Sequence, residues 1–142
     1  MTVLLDDHLL RDWMARRDGA LVEVVGDDDI ATTNLWYVRL CKSAAAATGG
    51  ALLAGWEDEE RRALIGGLVA LADNITVVPM RELAWHIGVL VADHRALSTL
   101  GAEAVAAAVA LEGRILVSAR DDGPGIRRCC ELLGVGYESL ER

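Results

Sequence analysis

Several things the chain lacks bound what it can be. No apolar run approaches the ~18 residues that a membrane-crossing helix needs, so no such helix is expected. The first residues do not pair a basic segment with a signal-like apolar one, and a cytoplasmic location is the expectation. Cysteine is scarce. Cys41, Cys129 and Cys130 are odd in number and include an adjacent pair, a spacing that is neither C-x-x-C nor a zinc pattern. That argues against a disulfide framework and a zinc site, and predicts buried reduced thiols. Positive charge is in deficit: 14 Lys and Arg stand against 22 Asp and Glu, for a net charge of −8. Non-specific coating of nucleic acid is carried by cations neutralising phosphates, so the balance disfavours RNA as a partner while allowing a local basic pocket. Phenylalanine is absent beside abundant Ala, Val and Leu. This is the mark of a GC-rich genome and says nothing of function. There is no internal repeat and no long linker. Ser118 is not in a G-x-S-x-G elbow, and "GPG" at 123–125 lacks the Gly-Lys-Ser/Thr ending of a P-loop, so it reads as a turn with Pro at a helix start.

What is present reads as one globular domain over residues 1–142, with 53% hydrophobic and 25% charged residues. Strands are predicted at 2–6, 30–33, 75–79 and 114–118, with a last short one in "GYESL". Between them lie helical patterns at 7–17, 34–47, 57–72, 81–93, 101–112 and 123–133, and a short one at 21–25. The helix at 34–47 has Asn34 as its expected cap and "TGG" at 48–50 as its stop. Strands alternating with helices imply βαβ units, hence an α/β three-layer sandwich with a mainly parallel sheet of about five strands.

The carboxyl ends of such strands are where open α/β sheets place ligands. Asp6 and Asp7 follow the first strand, and "ARDD" at 119–122 follows the fourth, so two acidic strand ends are expected to converge. Asp6 also suits a helix N-cap and Asp7 a first helical turn, the reading favoured from that segment alone. His8, His86 and His94 are scattered and read as structural. The four tryptophans read as core. Trp36 and Tyr37 beside Arg39 are the exception, an aromatic–arginine group at the sheet mouth suited to binding a partner or a base.

Three stretches resemble the PIN-domain family of small nucleases, which includes the VapC-type toxins of toxin–antitoxin pairs. "VLLDDHLL" resembles its first strand and leading aspartate. "LSTLGAEAVAAAVALEGRILVSARDD" resembles its Ala-rich helix, following strand and final aspartate, and "IRRCCELLGVGYESL" its closing helix and strand. The resemblance implies a PIN-like fold and clustered carboxylates holding Mg²⁺ or Mn²⁺ to activate water against a phosphodiester. Carried over position by position, the first acid is Asp6. The second falls on Arg39, when "TTNLWYVRL" is matched to the family's Thr-Thr-x-Leu-x-x-x-Glu-Leu run. The third falls on Gly101 and the fourth on Arg120, with Asp121 one residue on and Glu103 two past Gly101. An arginine has only donors and cannot ligate a metal.

The resemblance with these substitutions implies a pseudo-nuclease that acts through binding, with no cofactor, and forms a homodimer, for which the Ala-rich helix 101–112 and the Leu and Trp faces of nearby helices are expected to supply the apolar surface. An antitoxin-like or other protein partner is the further possibility it carries. Asp6, Arg39 and Arg120 are then expected to meet, with both arginines neutralising Asp6 and holding it ionised. A metal-dependent ribonuclease using Asp6, Asp7, Glu103 and Asp121 with Mg²⁺ or Mn²⁺ is the alternative, and a structural subunit of a complex is another.

Overall fold

In the computed structural model, which describes residues 1–46 and 48–141, β1 (Thr2–Leu5) is the middle strand of a five-stranded sheet. The others are β2 (Asp29–Thr32), β3 (Ile75–Val77), β4 (Arg114–Ser118) and β5 (Tyr137–Leu140). Their order is β3-β2-β1-β4-β5 and every pair is parallel. A parallel strand must be reached by a crossover, and helices supply it. The expected α/β class with a parallel sheet is what forms.

Alternation along the strands sorts the core into two halves. Val3, Leu5 and Leu116 face one side, where they meet Leu9 and Leu10 of α1 (Asp7–Met14), Leu21 of α2 (Gly19–Val25) and Leu40 of α3 (Asn34–Ala45). Leu53 of α4 (Gly50–Leu53) and Leu64 and Leu68 of α5 (Asp58–Val69) complete that half. Leu4, Ile115 and Val117 face the other side, against Leu83, Ile87 and Leu90 of α6 (Met80–Asp93) and the run 102–108 of α7 (Thr99–Leu111). Cys129 and Cys130 of α8 (Pro124–Leu133) close it. Both thiols are buried, and all three cysteines are free.

Several local expectations shift for identifiable reasons. Thr33, not Asn34, caps α3, its hydroxyl accepting from Trp36 N. Asn34 becomes the first helical residue because its amide donates to the Val78 carbonyl and to Glu103. That helix ends at Ala45, and Ala47, its expected last residue, lies outside the described residues. The helix closes at Ala46, in extended backbone ahead of "TGG", and the two glycines instead start α4, which sequence reading passes over. Gly50 has φ +55°, and a Cβ there would sit 2.5 Å from Ser43 Oγ, so glycine is required. The Ala-rich α7 starts at Thr99, capped by Ser98, and is buried from Gly101 to Ala108. It is an interior helix, so the surface apolar face expected there is already covered by the sheet and its neighbours. Among the described residues no helix is long and apolar enough to cross a membrane.

Candidate functional site

The strand order fixes where a site can form. From β1 the chain runs outward to β2 and β3 on one side, then returns to place β4 and β5 on the other. The carboxyl ends of β1 and β4 therefore flank the point where the order reverses, which is where open α/β sheets bind ligands. Leu5 pairs with Leu116, so Asp6 emerges beside Ser118. Asp6, Asp7, His8 and Asp121 gather there, each offering one ligand atom within 4.8 Å of the others.

Asp6 is fully buried and both its oxygens are engaged. Oδ1 accepts from Leu9 N at 2.9 Å, so Asp6 is the N-cap of α1 as well as a member of the cluster. Oδ2 accepts from Ser118 N at 2.7 Å and Ser118 Oγ at 2.6 Å. Asp7 is also fully buried, and its Oδ1 accepts from His8 N and sits against His8 Nδ1, both at 2.9 Å. Arg39 then bridges two acids. Its Nε lies 2.9 Å from Asp7 Oδ2, an ion pair at an angle outside that of a hydrogen bond. Its Nη1 donates to Asp121 Oδ1 at 3.0 Å.

The sequence-derived positions part company here. Arg39 joins the cluster but pairs with Asp7 and Asp121, not with Asp6, whose oxygens are held by Leu9 and Ser118. Arg120 is exposed and makes no ion pair among the described residues, which corrects the expectation that it neutralises Asp6. The cause is the turn after β4. Asp121 N and Asp122 N both donate to the Ser118 carbonyl, so the chain curls and Asp121 points inward where Arg120 was placed. Asp122 faces away, accepting from Arg127 and Tyr137 Oη. Gly101 packs on Leu97 and Ile126 and lines a cavity of about 180 Å³ beside Asp121. Glu103, fully buried, does not reach the cluster. Its Oε2 accepts from Asn34 N at 2.9 Å and Nδ2 at 2.7 Å, and its Oε1 from Leu35 N at 2.9 Å, so it satisfies the open end of α3. Sequence reading set His8 aside as structural and considered Ser118 only as a nucleophile. The signal for both was their position at the ends of strands that turn out to be neighbours.

The charges sort by environment. Burial pushes Asp6 up to about 7 against the pull of its Ser118 and Leu9 hydrogen bonds, and a hydrogen bond shared with Asp121 pushes the same way. The expectation that Asp6 resists protonation is therefore reversed. Burial would raise Asp7 as well, but the hydrogen bond from His8 and the charge of Arg39 outweigh it and hold Asp7 below the usual range. Burial weakens the Arg39 charge, yet Asp7 and Asp121 hold the guanidinium more firmly protonated. Asp121 Oδ2 is buried with no hydrogen-bond partner, and a proton on Asp6 would supply it with one.

A hard divalent ion needs about six oxygen ligands and tolerates no cation among them. The three carboxylates are close enough for one, but Arg39 already lies against two of them, and Asp6 is fixed by the α1 cap and Ser118. With Arg39 in place the residues do not fit a metal.

One pH dependence follows. A carboxyl raised in the folded state binds more protons there than when unfolded, so its stabilisation is full at low pH and is lost as pH rises through its folded value. Stability is expected to fall between about pH 4 and 7, by at most about 4 kcal/mol for Asp6 alone. Asp7 acts oppositely, its contribution being lost as pH falls below the ordinary carboxylate range. Urea unfolding from pH 5 to 8 checks this, and Asp6→Asn should flatten the slope.

No family model matches the chain, and no curated protein matches it. The functional reading therefore rests on the residues themselves.

Proposed function

We propose that the chain is a PIN-like pseudo-nuclease that acts by binding in the cytoplasm rather than by cleaving RNA. One observation carries this reading: the Arg39 guanidinium spans Asp7 and Asp121, 2.9 and 3.0 Å from their oxygens, and occupies the place where a metal-dependent nuclease needs its cation. Supporting it are the site's position between the ends of β1 and β4 and the use of Glu103 as a helix cap rather than a ligand. The test is incubation of purified protein with RNA and Mg²⁺ or Mn²⁺. No cleavage above an Asp6→Ala control is expected. Metal-dependent cleavage that Asp6→Ala abolishes would overturn the reading and restore the ribonuclease one.

The homodimer is part of the same proposal, with its surface moved from α7 to α6. Trp85 is 85% exposed, and Trp85, Gly88, Val89 and Ala92 form one exposed apolar stripe at helical spacing. A stable isologous contact buries roughly 800 Å² per partner, and a centrally buried Trp is a favoured anchor. Sedimentation should show a species of twice the 15.2 kDa chain, reduced to monomer by Trp85→Glu. A wild-type monomer would refute the dimer.

A further inference from the structure

We infer that the cleft beside the acid cluster binds a phosphomonoester, the terminal phosphate of a nucleotide-sized ligand; this rests on the pseudo-nuclease reading, because Arg39 must stand where a metal would. The cleft has a volume of about 610 Å³, within the range of small-molecule sites. It is lined by His8 from α1, Arg39 and Lys42 from α3, Leu52 from α4 and Arg120 from the turn after β4. Arg39 and Lys42 are three residues apart and so share a helix face. Asp7 is the one carboxylate in the lining, and it is already held by His8 and Arg39. Asp121 lies against the same guanidinium.

Lys42 and Arg120 are thus in surplus: both are exposed and neither makes an ion pair among the described residues. A chain of net charge −8 keeps three cations around one cleft and leaves two of them unmatched. His8 adds an independent sign of a ligand. The residue is 6% exposed, its Nδ1 is bound to Asp7, and its Nε2 is buried with no hydrogen-bond partner. Native structures seldom leave such an atom unsatisfied; with Nδ1 donating to Asp7, the neutral tautomer's Nε2 is an acceptor, which a water held on the phosphate would satisfy.

The count of charges selects the ligand. A phosphomonoester carries close to two negative charges at neutral pH, matching Lys42 and Arg120, whereas a phosphodiester carries one. Arginine suits phosphate through its fork of donors, and lysine as a point charge. Ala51, exposed in the same lining, offers a small apolar surface to the rest of the ligand.

Calorimetric titration in EDTA with adenosine monophosphate, inorganic phosphate and the diester ApA tests the inference. Wild type should bind the monophosphate, with inorganic phosphate competing and ApA binding more weakly. The double variant Lys42→Ala/Arg120→Ala should lose at least tenfold in affinity while unfolding at the same urea concentration, since both side chains are exposed. No monophosphate binding at millimolar concentration, unchanged affinity in the double variant, or tighter binding of ApA would each overturn it. Metal-dependent RNA cleavage would refute the pseudo-nuclease reading and with it the premise of this inference, whatever the metal-free titrations give. Absent monophosphate binding with absent cleavage refutes this inference alone.

Discussion

Glu103→Ala is expected to destabilise the protein by about 4 kcal/mol, the largest single loss predicted here. Glu103 lies on the interior helix α7, fully buried, and its two oxygens receive three N–H donors from Asn34 and Leu35. Removing them leaves the first donors of α3 without acceptors at a half-buried helix start, and empties the space of a fully buried side chain. Each buried donor without a partner costs about 1–3 kcal/mol. Glu103→Gln keeps one acceptor oxygen and should cost about half as much, by the same reasoning. Urea unfolding of the two variants at pH 7 measures both. A loss below about 1 kcal/mol for Glu103→Ala would show that α3 does not depend on this cap. The same α3 carries Arg39, so the cap also fixes the position of the cation in the cluster.

Arg39→Gln should cost about 2 kcal/mol at pH 7. Breaking a fully buried ion pair costs about 3–5 kcal/mol, and a figure below that range applies because Arg39 is 40% exposed and partly screened. Asp7 and Asp121 would then face each other with no guanidinium between them. Protonation is the remaining way to relieve that repulsion, so the Asp7 carboxyl should rise from its depressed value. The deficit should therefore shrink at pH 5, where the cluster can accept a proton. Unfolding at pH 5 and 7 reads this, with Arg128→Gln, an exposed arginine with no ion pair among the described residues, as a control within about 0.5 kcal/mol of wild type. A deficit equal at both pH values would mean that Arg39 stabilises by packing and not by charge.

Much of the architecture was legible because hydrophobic period and strand length survive in one sequence. The alternation of β-branched runs with amphipathic segments identifies the parallel sheet, and Asp6 and Asp121 were both found at strand ends. What the sequence does not carry is which strands lie side by side. The roles of His8 and Ser118 depend on β1 pairing with β4, a contact across more than a hundred residues that no local pattern encodes. Arg120 illustrates a second limit. The resemblance puts the fourth position on Arg120, but the turn after Ser118 brings Asp121 inward instead, so one residue of register exchanges an acid for a base. Lys42 was overlooked although it sits one helical turn beyond Arg39, a spacing that was readable. The four-residue α4 is too short to have a period at all. Its glycines read only as a stop.

In the proposed pseudo-nuclease the Arg39 guanidinium stands in for a divalent cation between Asp7 and Asp121. Electron paramagnetic resonance of Mn²⁺ titrated with protein tests it most directly, because free Mn²⁺ gives a strong signal that site binding removes. Wild type is expected to leave submillimolar Mn²⁺ free, and Arg39→Glu, which puts an acid at that position, to bind it. Wild-type protein that removes one equivalent of Mn²⁺ at submillimolar concentration, with the effect lost in Asp6→Ala, would contradict the account.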